Sequence, residues 1–581
     1  MASLRAVGPW AEKRLLAAIM TGLLLTVSCA APGGQPDPGP SSPTAETAPS
    51  TRPTVPDLSR SQPSRTPTTS DPVRLSFGGD VMFEGDLERL LETPETGLAP
   101  IRAATAEADF TMVNLESALT TRGTPDPKSL EVEGNRYHFR TSQAALSALE
   151  AAGVDAVSVA NNHGADFGAR GLADTLRAKA TGVLPVIGVG RDRAEAFTPH
   201  RVTLKGQRFA FFAADDSFLE STAPHWQAGA TTAGLAAARG PGRTALLKGV
   251  ERAVADGEVA VVYLHWGKEN TAAATAAQKK LAGDLSLAGA AAVVGTHTHR
   301  LQGAGWLGPT YVAYGLGNFV WYHGTSGAET GLLDLSVTDG RVVADGWRPA
   351  LIPREGGLPR FLGGAPQDDA IEAWRRLREP ADLAARPSGP PTFTVAAITP
   401  ALQKRMASTY RAGCPVPVSD LRHLRLSHWD FNGRVRQGEL VIAAKHADEV
   451  VTIFRTLYEA RFPLQRMKLV SAYGGDDEKS MAANNTSGFN CRTVAGTTRW
   501  SQHSFGAAID LNPVQNPYVT GAGVSPTAGE TYARSGDRRA AVKGLIVADS
   551  VVVEAFADIG WEWGGDWAGE ADYQHFSAAG S

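Results

Sequence analysis

Ser501-Gln502-His503-Ser504-Phe505-Gly506-Ala507-Ala508-Ile509-Asp510 and, downstream, Asp572-Tyr573-Gln574-His575-Phe576 decide how the C-terminal part of this chain is read. A histidine and an aspartate stand seven positions apart, with a glycine between them. Gly506 permits a tight turn that brings His503 and Asp510 together. Strand alternation over 507–511 sends Ile509 and Leu511 to one face and Asp510 to the other. With His575 added, two imidazoles and one carboxylate make a three-ligand zinc set with a position open for water. Asp572 is then free to act as general base on that water. Any one of these residues alone reads as a surface histidine or a solvated acid; the set reads as a metal centre.

The pattern S-x-H-x-x-G-x-A-x-D followed by D-x-x-H resembles the D-Ala-D-Ala metallopeptidases, the VanY-like carboxypeptidases and related L-Ala-D-Glu endopeptidases. The similarity covers residues 411–577. It implies zinc on His503, Asp510 and His575, Asp572 as catalytic base, and peptidoglycan stem peptides as substrate. It also implies a small α+β domain with an antiparallel sheet. One departure stands out. Many members carry an oxyanion-stabilising Arg after the Ser-Ala-Tyr segment, whereas Ser471-Ala472-Tyr473 is followed here by Gly474-Gly475. Arg492 or Arg499 is left to take that role; Ser501 and Arg492 are the expected substrate-binding positions. Around the motif, 438–462 reads as one long amphipathic helix through Leu440, Ala443, Ala447, Val450, Ile453 and Leu457. Residues 469–473 read as a strand. Trp561, Trp563 and Trp567 read as core and cleft wall.

At 581 residues the chain is too long for one core, and two domains plus linkers are expected. Residues 1–29 form a targeting segment: Arg5, Lys13 and Arg14 precede an apolar run too short to span a membrane comfortably. Leu25-Thr26-Val27-Ser28-Cys29 resembles a bacterial lipoprotein signal, which implies lipidation at Cys29 and a membrane anchor. The alternative is an ordinary secretory signal, and either places the mature chain outside the cytoplasm. Residues 30–72 are rich in Pro, Ser and Thr and poor in large apolar groups, so they read as a disordered tether. Extended Pro-rich chain at about 3.1 Å per residue gives a reach on the order of 100 Å. A net charge of −4 and no basic run with interleaved aromatics argue against nucleic acid as a partner. Cys414 and Cys491 read as a disulfide in an oxidising compartment, worth on the order of 4 kcal/mol by loop closure; two buried free thiols are the alternative.

From residue 73 the texture changes. Apolar runs at 73–77, 110–113, 156–160, 259–264, 290–294 and 311–314 each end in a polar cluster. Helically spaced segments such as 143–152 and 272–288 lie between them. Strands alternating with helices argue an α/β sheet, whose sites sit past the carboxyl ends of strands. Collected from those ends, Asp80, Glu116, Asn162, His163, His265, His297 and His299 suit a pair of divalent metals, bridged by a carboxylate and about 3.5–4 Å apart. One histidine is left as an acid for a leaving group.

Gly79-Asp80-Val81-Met82, Asn114-Leu115-Glu116, Asn161-Asn162-His163 with Asp166, His265-Trp266-Gly267, Gly295-Thr296-His297-Thr298-His299 and Gly317-Asn318-Phe319 resemble the CapA capsule-synthesis family, a relative of the calcineurin-like metallophosphatases. The resemblance covers 73–325 of a domain taken as 73–355. It implies a four-layer α/β/β/α sandwich. Asp80 and His299 would hold one metal, and Asn162, His265 and His297 the other. Glu116 would bridge, and His163 would serve as catalytic acid. The metals would be manganese, iron or zinc, and the partner a capsule-type surface polymer. Phosphatases carry a histidine where this chain has Met82, which keeps open a reading in which the domain only binds polymer. Residues 356–410 read as an irregular Pro-rich connection with one helix in 370–377.

Overall fold

The apolar runs of the N-terminal half pair into two mixed sheets that face each other. The computed structural model describes residues 71–578 except 130, 132, 218–223, 326, 535, 537, 540 and 541. The leader with Cys29 and the tether up to residue 70 lie outside the described residues. In the first sheet the strand Val73–Val81 is central. Phe110–Leu115, Ala156–Ser158 and Val186–Ile187 follow it in parallel on one side. Glu329–Thr338, Arg341–Leu351 and Arg360–Phe361 follow on the other, each antiparallel to its neighbour. The second sheet is built on the parallel strands Gln207–Ser217, Val259–Gly267, Ala292–Thr296 and Thr310–Ala313. Buried on both faces, these strands are almost continuously apolar, as covered parallel sheets are.

Ring stacking and hydrogen bonds join the sheets. Phe110 stacks on Phe211 at 4.1 Å between ring centroids, and the Tyr263 hydroxyl donates to the Gly78 carbonyl at 2.6 Å. Helices Ala144–Ala151 and Gly168–Thr181 cover the outer face of the first sheet through Leu146, Leu149 and Leu172. Helices Pro241–Ala255 and Ala276–Ala288 cover the second through Leu246, Val250, Leu281 and Leu285. The result is helix, sheet, sheet, helix, the layering expected from the sequence.

The C-terminal part departs from expectation in three places. Residues 438–443 are not helix: they end the strand Val435–Ala443, and the helix begins only at Ala447. Leu440 and Ile442 enter the core beneath that helix, while Val441 points to a second, smaller core. That period-two pattern overrides a helical spacing that held only for the later residues. The 469–473 segment is a 3₁₀ turn, Val470–Tyr473, closed by left-handed Gly474, rather than a strand. Nor is 356–410 an irregular connection. Helix Ala365–Arg376 stacks Trp374 on Trp347 at 5.5 Å and so belongs to the first part. Strand Phe393–Ala397 pairs with Leu421–Trp429, and Leu402 and Met406 sit in the core beside Cys491. The Cys414–Cys491 disulfide is formed, with 5.9 Å between Cα atoms.

Residues 71–578 fall in one unit, because the two parts dock through the helix Ala276–Ala288. A Cβ on Gly283 would stand 2.7 Å from the Asn432 carbonyl oxygen, so glycine permits the approach. Ser286 Oγ donates to the Gly433 carbonyl at 3.0 Å, and the Arg461 guanidinium donates to the Ser286 carbonyl. Beside them Asp284 receives Lys543 from the C-terminal part and Arg243 and Lys280 from its own side. Burial opposes ionisation of Asp284, but hydrogen bonds from Lys543 and Arg243 outweigh it and hold the carboxyl below its usual 3.8.

A carboxyl depressed in the folded state stabilises above its unfolded pKa and loses that contribution as pH falls through the folded value. Docking is therefore expected to weaken below about pH 4. Asp284→Asn should cost about 1–3 kcal/mol at neutral pH. The check is calorimetry with limited proteolysis: separate melting of the two parts and faster cleavage in 385–392 are expected for the variant.

Candidate metal centres

In the first centre the chain crosses from strand to loop six times, and each crossing leaves a polar side chain in one cleft. Asp80 ends a central strand next to Asn114, whose amide donates to Asp80 Oδ1 at 2.8 Å. The Asn161 amide donates to Asn114 Oδ1 at 3.0 Å, and its carbonyl oxygen accepts from the His163 backbone at 3.0 Å. His265 is fully buried, with Nδ1 3.0 Å from Thr296 Oγ1. Its Nε2 lies 2.7 Å from Asn162 Oδ1 and 3.0 Å from His297 Nδ1. His297 and His299 have φ of 84° and 51°. Two non-glycine residues in the left-handed region of one tripeptide are a local cost, and the cost aims both rings into the same cleft.

Two sets of potential ligand atoms each lie within 4.8 Å of one another: Asp80, Glu116 and His299, and Glu116, His265 and His297. Glu116 is common to both. It is fully buried and neither carboxylate oxygen has a hydrogen-bond partner. Burial, with the Asp80 charge added, pushes its carboxyl well above the usual range. A buried carboxylate without donors is costly unless a cation meets it, so the donor set fits a metal pair.

His163 is oriented from behind. Its Nδ1 lies 2.6 Å from Asp166 Oδ2, and its Nε2 faces Glu116 Oε1 at 3.8 Å. Burial pushes the Asp166 carboxyl up to about 7, against the pull of Lys128. Lys128 Nζ sits 2.9 Å from Asp166 and 3.3 Å from His163 Nδ1. Sequence reading missed this lysine, which stands in a loop with no motif around it. It also left Asn318 without a role, although Asn318 Oδ1 lies 2.7 Å from His299 Nδ1 and fixes that ring. Met82 is 1% exposed.

The second centre is smaller. Gly506, at φ 63°, closes the turn after His503, and a Cβ there would stand 2.5 Å from the Ala443 nitrogen. Asp510 and His575 are direct partners on antiparallel strands Ala508–Asp510 and His575–Ser577. His503 Nδ1 donates to the Gly488 carbonyl at 2.7 Å, which turns Nε2 toward Asp510 Oδ2 at 3.1 Å. His575 Nδ1 lies 3.0 Å from Asp510 Oδ1. All three are buried and form one potential ligand set. Although burial opposes it, the two imidazoles hold the Asp510 carboxyl far below the carboxylate range. The three groups fit a tetrahedral zinc with one open position.

Asp572 stands beside this set. Its Oδ1 is buried without a partner, and burial, joined by the Asp510 charge, pushes the carboxyl up to about 7. The Arg492 guanidinium pairs with Asp477, keeps a buried Nε without a partner, and its charge reaches both His503 and Asp572. Arg499 is exposed. Ser501 caps the turn, its hydroxyl accepting from the His503 backbone at 3.3 Å. Its visible role is to place His503.

Residues 74–323 match the family described as bacterial capsule synthesis protein PGA_cap, and residues 495–578 match the family described as D-alanyl-D-alanine carboxypeptidase. Each match covers less than half of the chain. The chain is 29% identical over 208 residues to capsule biosynthesis protein CapA of Bacillus anthracis, covering 34% of this chain and 48% of that protein. It is 26% identical over 262 residues to PGA biosynthesis protein CapA of Bacillus subtilis, covering 44% and 65%. A probable polyglutamine synthesis accessory protein of Mycobacterium tuberculosis is 28% identical over 242 residues, covering 40% and 62%. The chain thus spans about half to two thirds of the length of these relatives. Among solved structures, a phosphatase from Mycoplasma pneumoniae aligns with a TM-score of 0.32 at 13% identity, covering 50% of this chain and 96% of that one.

If Glu116 holds two cations together, Glu116→Gln should lower metal per chain toward the single ion of the C-terminal centre. In chelated protein the same substitution should stabilise by about 1–3 kcal/mol, because it removes a buried carboxyl whose ionisation the site opposes. Metal analysis and melting curves of both proteins, with and without chelator, read the two opposite signs.

Proposed function

We propose that this chain is an envelope-anchored zinc metallopeptidase that cleaves peptidoglycan stem peptides in the manner of a D-alanyl-D-alanine carboxypeptidase. Fused to it is a di-metal domain that acts on a cell-surface polymer. The observation that carries the peptidase reading is the buried Asp572 carboxylate, whose Oδ1 has no hydrogen-bond partner, beside the His503, Asp510 and His575 set. Its carboxyl, pushed up to about 7, suits proton transfer near neutral pH.

Zinc bound by the three ligands would acidify a water and polarise the scissile carbonyl. Asp572 takes the proton from the attacking water and returns it to the leaving amine. Arg492 meets the negative charge that develops on the carbonyl oxygen. Gly488 and Ser501 hold His503 in the tautomer and position its role requires. In the first domain, two cations on Asp80, Asn162, His265, His297 and His299, bridged by Glu116, would activate water. His163, steadied by Asp166 and Lys128, serves the leaving group. The Cys29 motif and the Pro-rich tether support a lipid anchor outside the membrane. Among the described residues no helix is long and apolar enough to cross a membrane.

Asp572→Ala should keep zinc and fold but lose about 10²–10⁴-fold in hydrolysis. His575→Ala should lose zinc itself. Zinc per protein and release of D-Ala or a stem fragment are measured for both. Zinc loss in Asp572→Ala equal to that in His575→Ala would make Asp572 a ligand. Near-normal turnover would pass the base to Glu562 or Asp566.

For the anchor, Cys29→Ala should move the protein from the membrane fraction to the soluble one or block processing. Normal cleavage with unchanged membrane retention would exclude lipidation.

A further inference from the structure

A cleft of about 540 Å³ opens beside the first metal centre, and its walls bear on what that centre receives. Aromatic rings tie the cleft to the metal site. Phe139 lies against His163 at 4.1 Å and edge-on to Trp321 at 6.1 Å, and Trp321 lies against His299 at 4.8 Å. Met82 forms part of the lining, so the side chain that replaces a phosphatase histidine adds apolar surface here. The mouth is made by Tyr137 and Tyr322, which are 56% and 41% exposed. Both rings lie 6.4 Å from Phe139. Two large aromatics left in water at the mouth of a site are costly surface unless a ligand covers them.

Charge around the cleft narrows the ligand. Glu84, Asp86 and Glu355 line it together with Arg89, and Arg360 stands 3.6 Å from Glu355. Burial raises the Glu84 carboxyl, and neighbouring Glu88 and Asp166 add to it. A γ-linked glutamate chain carries a carboxylate on every residue and would meet this acidic rim with like charge. A pyranose ring presents the opposite chemistry. Its C–H face packs on tyrosine, and its hydroxyl and amine or amide hydrogens donate to carboxylates.

We infer that the Tyr137–Tyr322 cleft binds a sugar ring of a neutral or amino-sugar polymer, and places that polymer at the di-metal centre. The inference rests on the reading of the first domain as one that acts on a surface polymer, and it selects a glycan over a polyanionic peptide.

The test uses the full chain loaded with manganese and isothermal titration calorimetry at fixed ionic strength. The probes are tetramers of N-acetylglucosamine, of glucosamine and of γ-linked glutamate. At least one saccharide should bind more tightly than the glutamate tetramer. The double variant Tyr137→Ala, Tyr322→Ala should weaken that binding about tenfold or more. The altered rings are exposed, and an unchanged melting temperature verifies the fold. Comparison with the variant removes any saccharide binding by the peptidase domain. Tighter binding of the glutamate tetramer, or equal saccharide binding by variant and wild type, overturns the inference. Metal analysis of the same samples separates the two levels. Normal manganese with no saccharide binding refutes the glycan assignment alone. Tyrosine-dependent saccharide binding without manganese refutes the metal reading alone, and loss of both refutes both.

Discussion

A carboxylate taken out of water has to be met by positive charge, and three such carboxylates organise this protein. Glu116 lies at full burial between imidazoles with no donor of its own. Asp510 is clasped by His503 and His575. Asp284 gathers Lys543, Arg243 and Lys280 at the seam between the two parts. Only the last is answered wholly by side-chain cations. The other two sit among imidazoles that are themselves buried. Burial and neighbouring imidazoles push His297 well below its usual pKa, so it cannot supply the missing charge. At Glu116 that imbalance points to a cation from outside the chain.

The two centres solve the placement problem differently. The first draws on strand ends spread over more than two hundred residues and relies on buried asparagines to lock the set. Asn114 and Asn161 link Asp80, His163 and the strand carbonyl of Leu115. The second uses one hairpin-like pairing and one glycine turn, so its ligands come from short local geometry. The dock between the two parts follows from the close approach at Gly283 and Gly433. It holds both centres in one unit.

Much of the first domain could be read from residue pattern alone. Strands 73–77, 110–113 and 259–264 were expected and exist, lengthened by two to four residues at the carboxyl end. These runs are covered on both faces, so they announce themselves as unbroken apolar stretches. The C-terminal part was harder. Leu440, Ala443 and Ala447 keep a helical spacing across a strand-to-helix junction, and nothing local marks where the period changes. Phe393–Ala397 is mostly exposed, so its place beside Leu421–Trp429 left little apolar signature.

By itself, the sequence determined the residue types that gather at each centre, the alternation of strands and helices in the first domain, and the pairing of the two late cysteines. These follow from local rules: turn glycines, strand-end polar clusters and composition. Only the tertiary structure decided which residues stand behind the sites. Lys128 reaches Asp166 across thirty-eight positions, Arg492 rather than Arg499 turns toward His503, and Asp284 meets Lys543 from the other part. Such partners are selected by where separate elements happen to pack. Long-range electrostatic neighbours leave no periodic trace in a chain, because the physics that pairs them acts through space and not along the backbone.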